Sequence, residues 1–156
     1  MIDNKINKEI RDIFSAYLTE KKLRKTEERY TILDEICAFS GHFDIYMLHQ
    51  KLKDTKYHVS KATLYNTLEV LTDAGIVIRH QFNSQLAQYE LRKKAEIHMH
   101  FVCTHCHSVS EVKNPPFLQG SINALKNRFT PEYFSLCVYG MCGKCRNKEQ
   151  KKSQKK

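Results

Sequence analysis

Two pairs of cysteines, each with the spacing Cys-x-x-Cys, constrain this chain of 156 residues more than any other feature. Cys103 and Cys106 form the first pair, and Cys142 and Cys145 form the second, with 35 residues between the pairs. Four thiolates are the soft ligand set that zinc or an iron–sulfur cluster prefers. Because a four-thiolate shell leaves no open position on the metal, we expect a structural zinc that pins the end of a small domain to its beginning.

The N-terminal sequence bears on how the cysteines are interpreted, because it indicates the compartment. Neither a signal-peptide core nor an apolar run of membrane-spanning length occurs, so we expect a cytoplasmic protein. In a reducing compartment, cysteine clusters bind metal more often than they form disulfides. The alternatives are a disulfide framework and redox-active dithiols. Cys37 and Cys137 lie outside both pairs, and we expect both to be packed core thiols.

The net charge of +9 is unevenly distributed along the chain. Residues 1–92 hold 14 Lys and Arg against 13 Asp and Glu, whereas residues 93–156 hold 12 against 4. Residues 147–156 form a polar, basic segment without apolar side chains, which predicts a disordered tail. Bulk charge therefore does not by itself identify a protein that binds nucleic acid, and that interpretation depends on the local pattern.

The first 92 residues show the pattern of four short helices followed by a β-hairpin. Apolar side chains recur at three- and four-residue steps through the four helices. Gly75 suits the C′ position after the fourth helix, and the strands of the hairpin are expected at residues 76–82 and 86–91. The residues suited to cap the second, third and fourth helices are Thr26, Asp44 and Ser60.

Short helices that end in a hairpin describe a winged helix-turn-helix, in which the last helix enters the major groove of DNA. The exposed side chains of this helix are of the types that touch base edges, thymine methyl groups and phosphates. Small three-helix units with a hairpin also occur as protein-interaction modules, so a zinc-stabilised interaction module is an alternative. The side chains expected to face DNA are Lys61, Thr63, Tyr65 and Asn66.

Residues 93–146 are predicted to form a small α/β unit suited to dimerisation. A helix is expected to begin at Pro115-Pro116, because proline is tolerated in a first turn. The expected fold class is therefore α+β, with a winged-helix domain over residues 1–92 followed by this metal-binding dimerisation domain and the basic tail. Strands are expected at residues 101–102, 109–112 and 134–140.

His98 and His100 would share one side of an extended strand, because alternate residues of a strand point to the same face. On its own, the pattern His-x-His is also typical of two surface histidines. Three further groups strengthen the metal interpretation: Glu90 closes the hairpin, Glu111 follows the first cysteine pair, and His42 lies in the break between the second and third helices. Three imidazoles and two carboxylates suit Fe²⁺, Mn²⁺, Zn²⁺, Co²⁺ or Ni²⁺.

Five short motifs lie along the chain: Ala62-Thr63-Leu64-Tyr65, Asp73-Ala74-Gly75-Ile76-Val77, Tyr89-Glu90-Leu91, His98-Met99-His100-Phe101-Val102-Cys103 and Tyr139-Gly140-Met141-Cys142. On these motifs the chain resembles the ferric uptake regulator (Fur) family of bacterial metalloregulators over residues 15–146. The resemblance implies a homodimer with an N-terminal winged helix and a C-terminal dimerisation domain. It also implies a structural Zn(II) and a regulatory divalent metal, for which we favour Fe(II) over Mn(II) or Zn(II).

The resemblance also assigns roles to particular residues. Tyr65 matches a base-contacting tyrosine of the family, and Arg24 lies where the family has a basic residue that reaches the minor groove. The implied zinc ligands are Cys103, Cys106, Cys142 and Cys145, and the implied ligands of the regulatory metal are His42, Glu90, His98, His100 and Glu111.

The chain departs from the family at a third metal site, whose ligand positions hold Ile97, Met99 and Phe134 here. Because none of these side chains binds a hard divalent cation, we expect no third site. Loss of the third site fits the peroxide-sensing members of the family. Glutamates at positions 90 and 111 instead favour a regulator that responds to iron or another metal ion itself. Zinc sensing is a further alternative, because ligand type rarely decides the metal. A metal hydrolase is the alternative from another class, although no nucleophile motif or phosphate loop accompanies the site.

The expected function is therefore that of a metal-dependent transcriptional regulator, a repressor and not an enzyme. Its expected partners are double-stranded operator DNA and a second copy of the chain, with neither a membrane nor a small-molecule substrate. One ion held by both domains would fix the angle between them. In a dimer, that angle sets the separation of the two recognition helices, which must match half-sites about one helical turn apart.

Overall fold

The computed structural model describes residues 2–82, 86–93, 98–113 and 135–153, together with Gly120, Ala124 and Phe129. Two compact units divide the chain, Met1–Ala95 and Glu96–Lys156. Helices and strands occur in both units, so the predicted α+β class is confirmed. In the described part of the chain, no helix has both the length and the apolar character that crossing a membrane requires.

Four helices make up most of the described part of the first unit. Their apolar faces meet in one core, to which each helix contributes fully buried side chains such as Phe14, Leu33, Leu48 and Leu68. The helices are α1 (Ile2–Glu20), α2 (Glu27–Cys37), α3 (Ile45–Asp54) and α4 (Lys61–Asp73). The helical periodicity of residues 1–73 is therefore confirmed.

Side chains cap the last three of these helices at the predicted positions. The Thr26 hydroxyl accepts a hydrogen bond from the backbone N–H of Arg29, at 3.3 Å. A carboxylate oxygen of Asp44 accepts from two backbone N–H groups at 2.8 Å each, and the Ser60 hydroxyl accepts from Thr63 at 3.1 Å. Each cap satisfies donors that the first turn of a helix leaves without an intrahelical partner.

A left-handed glycine ends α4 and turns the chain into the hairpin. Gly75 has a φ of 67°. Its N–H donates to the carbonyl of Thr72, and the N–H of Ile76 donates to the carbonyl of Leu71, each at 2.9 Å. This pair of hydrogen bonds is the Schellman motif, which satisfies carbonyls at the end of a helix. The predicted role of Gly75 at C′ is confirmed.

The hairpin consists of two antiparallel strands, β1 (Val77–His80) and β2 (Gln88–Leu91). The loop before α3 is attached to β2 by an isolated bridge, in which Phe43 and Tyr89 exchange two backbone hydrogen bonds of 2.9 and 2.7 Å. This bridge fixes the position of the segment between α2 and α3 relative to the hairpin. The predicted turn around Asn83 and Ser84 lies outside the described residues.

The described part of the second unit contains a three-stranded sheet. Its order is β4-β3-β5, in which β3 runs antiparallel to β4 and parallel to β5. Parallel neighbours need a crossover connection. The predicted helix from Pro115-Pro116 falls in that connection and lies largely outside the described residues. The strands are β3 (His98–Cys103), β4 (Val109–Lys113) and β5 (Leu136–Gly140).

The structure differs from the prediction at the C-terminus. Residues 147–153, which the sequence predicts as part of a disordered tail, belong to α5 (Gly143–Ser153), a helix without buried residues. Lys, Arg, Gln and Glu have high intrinsic helix propensity, and Cys145 in its first turn belongs to the cluster described below. A polar composition therefore excludes burial here without excluding a helix. Residues 154–156 lie outside the described part of the chain.

Replacing Gly75 by alanine should destabilise the first unit. A left-handed conformation costs a residue with a Cβ roughly 1–2 kcal/mol, and an added Cβ would lie 2.9 Å from Nη1 of Arg92. We expect Gly75→Ala to lower the free energy of unfolding by about 1 kcal/mol or more, measured by urea denaturation. Gly120→Ala is the control, because its added Cβ meets nothing within 4 Å. Equal stability of the two variants would contradict this account of the helix end.

Candidate metal centres

Strand pairing in the second unit brings the two cysteine pairs together. Cys103 ends β3, and in the parallel register it lies opposite Gly140, the last residue of β5. The N–H of Thr104 donates to the carbonyl of Gly140 at 2.9 Å, which holds the two strand ends side by side. The second pair follows β5 directly, at the start of α5. The four cysteines therefore meet, although 35 residues separate the two pairs.

The sulfur atoms have the spacing of a tetrahedral metal site. All four Sγ atoms lie within 4.8 Å of one another, and all six cysteines are free thiols. The Sγ atoms of Cys106 and Cys142 are 3.7 Å apart, and those of Cys103 and Cys145 are 4.0 Å apart. Zinc held tetrahedrally at about 2.3 Å from each sulfur would place neighbouring sulfurs about 3.8 Å apart. The cluster therefore fits zinc, whereas a disulfide would need about 2.05 Å between sulfurs.

Two thiols of the cluster have displaced pKa values, in opposite directions. Backbone N–H groups of Cys106 and Cys142 lower the pKa of Cys103 to about 5, because they stabilise its thiolate. Hydrogen bonds with the sulfurs of Cys106 and Cys142 raise the pKa of Cys145 to about 12. Without a cation, the cluster near neutral pH therefore holds at least one thiolate and at least one thiol. A bound metal ion would stabilise all four as thiolates.

Two imidazoles and a carboxylate of the second unit form a separate set of ligands. Nε2 of His98 and Nε2 of His100 are 2.9 Å apart, so the prediction that these side chains share one side of the strand is confirmed. His100 pairs with Glu111 across β3 and β4, and ligand atoms of His98 and Glu111 lie within 4.8 Å of each other. Two nitrogens bound at right angles to one ion, each at about 2.1 Å, would be about 3.0 Å apart. The distance between the Nε2 atoms of His98 and His100 is close to this value.

The first unit contributes a second set, centred on the buried carboxylate of Glu90. The bridge between Phe43 and Tyr89 brings their chain neighbours His42 and Glu90 together, with 3.7 Å between Nε2 of His42 and Oε2 of the carboxylate. The other carboxylate oxygen, Oε1, is 2.6 Å from Nε2 of His80 on β1. The structure therefore places His42 and Glu90, two of the predicted ligands, side by side within one unit.

His80 is a member of this group that the sequence analysis missed. It is buried, at 6% exposure, and its side chain is in contact with the Glu90 carboxylate. A lone histidine in a strand carries no spacing signal, and the register of the hairpin decides its neighbours. In that register Ile78 lies opposite Glu90, which places His80 two residues along the same face of β1.

The side chains expected to face DNA lie on α4 and in the loop before α2. Tyr65 and Asn66 are exposed, and the Nζ of exposed Lys61 lies 4.4 Å from the ring centroid of Tyr46. Thr63 is half-buried, and its hydroxyl lies 2.9 Å from the hydroxyl of the capping residue Ser60, so Thr63 also takes part in the cap. Arg24 is exposed in its loop.

The first unit has a hairpin after its last helix and exposed polar side chains on that helix, and metal-ligand clusters occur in the chain. These features are those expected of a metal-responsive, DNA-binding regulator. The same conclusion follows from comparison with known proteins, because a model of the Ferric uptake regulator family matches residues 20–139. The chain belongs to the Ferric uptake regulator family. Membership places it among metal-responsive transcription regulators and not among enzymes, and nothing supports the hydrolase alternative.

Individual relatives agree with this assignment over most of the chain. The Ferric uptake regulation protein of Neisseria meningitidis is 33% identical over 139 residues, which cover 85% of this chain and 93% of that protein. The structure is similar to that of the Vibrio cholerae ferric uptake regulator, with a TM-score of 0.59 at 30% identity, covering 80% of this chain and 96% of that one. It is also similar to the Pseudomonas aeruginosa regulator solved with manganese, with a TM-score of 0.68 at 25% identity, covering 83% and 97%.

Replacing Cys103 by serine should abolish zinc binding and destabilise the second unit. Serine has a similar size but supplies no thiolate, and loss of a structural metal is among the few changes that cost about 4 kcal/mol or more. For a unit as small as Glu96–Lys156, such a loss lowers the melting temperature by roughly 15–30 °C. Zinc content and thermal unfolding test this, with Cys137→Ser as the control outside the cluster. Full zinc content in the Cys103→Ser protein would contradict the assignment.

Zinc binding to the reduced apoprotein at pH 7 should release at least one and at most three protons. The pKa of Cys145, about 12, means that this thiol must lose a proton to the buffer. The pKa of Cys103, about 5, means that this sulfur is already a thiolate and releases none. Calorimetric titration in buffers of different ionisation enthalpy measures the number of protons. A release of none, or of four, would be inconsistent with these two environments.

Proposed function

We propose that this chain is a homodimeric repressor whose affinity for operator DNA rises when a divalent cation, with Fe²⁺ favoured, binds residues of both units. The observation that carries the proposal is the presence of one nitrogen–oxygen ligand set in each unit. His42 and Glu90 belong to the first unit, called here the DNA-reading unit. His98, His100 and Glu111 belong to the second unit, called here the sheet unit. Each set by itself supplies two or three ligands, so one set alone would leave at least three positions of a six-coordinate Fe²⁺ or Mn²⁺ to water, whereas both sets together would supply five.

The chemistry of the combined ligand set supports this choice of cation. Three imidazoles and two carboxylates are borderline and hard ligands, which suit Fe²⁺ and Mn²⁺ and also bind Zn²⁺. The four thiolates of Cys103, Cys106, Cys142 and Cys145 are soft, and we assign them to a structural Zn²⁺. The two kinds of ligand thereby separate two roles. A closed thiolate shell retains its ion, whereas the nitrogen–oxygen set can exchange its ion with the cell.

Metal control follows from holding the two ligand sets on one ion. The bound state fixes the angle between the DNA-reading unit and the sheet unit, and the apo state leaves that angle to vary. In a dimer the angle sets the separation of the two α4 helices, which must match successive major-groove half-sites. Metal and operator binding are then coupled, typically by about 1–3 kcal/mol, which corresponds to about 5- to 150-fold in affinity.

The surface of the sheet supports a second copy of the chain as the dimer partner. Among the described strands β4 and β5 are the edges, and edge strands present unpaired backbone groups. Four large apolar side chains of the sheet are 40% or more exposed in the single chain, which is unusual unless a partner covers them. They are Phe101, Val112 and Val138, which the strand register places on one face of the sheet, and Tyr139, which lies on the other face.

The proposed DNA contacts begin at α4. Tyr65 is 49% exposed and large enough to reach a thymine methyl group or a base edge, and Asn66 lies beside it. Lys61 at the start of α4 and Arg24 before α2 supply positive charge for phosphates or the minor groove. Thr63 contacts DNA through the exposed part of a side chain that also caps the helix. A regulator that binds promoter DNA would act in the cytoplasm.

Replacing His98 by alanine tests the control mechanism without removing the structural zinc. We expect the His98→Ala protein to remain a folded, zinc-loaded dimer whose operator affinity no longer increases with added Mn²⁺, used as an air-stable substitute for Fe²⁺. The wild-type affinity should increase by about 5- to 150-fold in the same titration. Fluorescence anisotropy with promoter DNA measures both, together with zinc content and sedimentation.

Ser110→Ala is the matched control, because Ser110 is exposed on β4 and supplies no ligand to either set. It should respond to Mn²⁺ as the wild type does. The proposal fails if wild-type protein, stripped of metal at the nitrogen–oxygen site and still zinc-loaded, binds the operator as tightly as the Mn²⁺-loaded protein.

A further inference from the structure

Glu90 is a buried carboxylate with an imidazole at each of its two oxygens. It is 6% exposed, and burying a carboxylate is costly unless it is paired and hydrogen-bonded. His42 faces Oε2 and His80 faces Oε1. The proposed function uses His42 as a ligand and assigns no role to His80. The two imidazoles differ in their distances to the carboxylate, and this difference separates their roles.

The distance from His80 to Glu90 is that of a hydrogen bond. Nε2 of His80 lies 2.6 Å from Oε1, which is short even for a charge-assisted bond. Because an ionised carboxylate can only accept, the imidazole donates its Nε2–H. Two ligands of one ion, each bound at about 2.1 Å, would be about 3.0 Å apart or more. Nε2 of His80 is too close to Oε1 for both atoms to bind one ion, and its proton already forms a hydrogen bond to that oxygen. His80 is therefore not placed to act as a metal ligand beside Glu90.

The distance from His42 to Glu90 is different in kind. Nε2 of His42 and Oε2 are 3.7 Å apart, which is too long for a hydrogen bond. Ligands bound at about 2.1 Å are between about 3.0 Å and 4.2 Å apart, depending on the angle at the metal. The distance between Nε2 of His42 and Oε2 is thus that of two ligands of one cation. The distance between Nε2 of His80 and Oε1 is that of a hydrogen bond.

Packing holds the His80 ring in this position. The ring stacks on Phe82 with 5.0 Å between centroids and 5° between planes. His42 meets both rings edge-on, at 5.2 Å from His80 and 5.7 Å from Phe82. Phe82 is itself buried, at 4% exposure. The three rings therefore support one another, and the imidazole donor is fixed before any cation arrives.

We propose that His80 is a positioning residue for the regulatory metal: by donating to Oε1 of Glu90, it orients the carboxylate so that Oε2 is presented to the cation beside His42. This inference rests on the proposed function, since it concerns the same site. Hydrogen bonds to metal ligands typically contribute 10- to 100-fold in metal affinity. We expect an effect of that size when the donor is lost.

The matched variants His80→Gln and His80→Asn test the donor directly. The amide nitrogen of glutamine is three bonds from Cβ, as Nε2 of histidine is, whereas the amide nitrogen of asparagine is one bond closer to the backbone. Glutamine can therefore replace the donor, and asparagine cannot reach Oε1 from the same backbone position. Both are polar and smaller than histidine, so both leave space beside Phe82 and both lose the aromatic stacking.

The experiment titrates Co²⁺ into zinc-loaded full-length protein and follows the visible absorption bands of the bound cobalt. We expect His80→Asn to weaken Co²⁺ binding by about 10- to 100-fold and His80→Gln to bind close to the wild type. The cobalt bands should be the same in saturated wild type and His80→Gln, because the ligands are unchanged. His58→Ala, an exposed histidine of the same unit, is the control and should behave as wild type.

Each other outcome overturns the inference. Wild-type affinity in His80→Asn would show that the donor does not matter. Equal loss in both variants, with shifted cobalt bands in saturated protein, would make His80 a ligand of the ion. Equal loss with unchanged bands would assign the effect to lost ring packing. If wild-type protein binds no Co²⁺ beyond the zinc site, or if His98→Ala binds it equally well, the proposed function fails as well.

Discussion

The pairing of β3 with its two neighbours is the constraint on which the second unit depends. The parallel register with β5 places Gly140 opposite Cys103, so the cysteines that follow β5 reach those that follow β3. The antiparallel register with β4 places Glu111 opposite His100. One strand therefore carries ligands of both candidate centres, with His98 and His100 at its beginning and Cys103 at its end. Three residues of extended chain span about 10 Å, so His100 and Cys103, which belong to different candidate centres, lie on one short strand.

In the first unit, the corresponding constraint is the burial of one carboxylate. Glu90 follows Tyr89, whose backbone bridge to Phe43 positions the loop that carries His42. Because a buried carboxylate must be compensated, His42 and His80 stabilise the folded unit around Glu90 in addition to the different roles proposed for them at the metal. The site is thus assembled by hydrogen bonds that exist without metal, and the energy for arranging the ligands comes from folding. The geometry of His42, His80 and Phe82 follows from this packing.

The two ligand sets differ in chemistry in a way that suits their different tasks. The cysteine cluster is soft, complete and local to one unit, and the spacing of its sulfurs matches a tetrahedral ion. In the function we propose, the nitrogen–oxygen ligands are divided between units, and each half alone leaves several positions on the metal open. A complete local set stabilises a fold, whereas a divided set makes metal occupancy depend on the arrangement of the parts it joins. Family membership shows that the chain is a regulator, and this division of ligands is the physical basis that we propose for its response.

The sequence by itself determined the structural features that depend only on residues a few positions apart in the chain. Helix caps at Thr26, Asp44 and Ser60, the left-handed Gly75, and the shared face of His98 and His100 follow from local backbone geometry, and all were predictable. Contacts between distant segments were decided by the tertiary structure. The contact of His80 with Glu90 depends on the hairpin register, and the meeting of the cysteine pairs depends on a parallel pairing across 35 residues. The helix over residues 147–153 was not predicted, because a polar composition indicates that a segment is exposed and does not indicate its backbone conformation. Local patterns specify which side chains could bind a metal, and register specifies which of them meet.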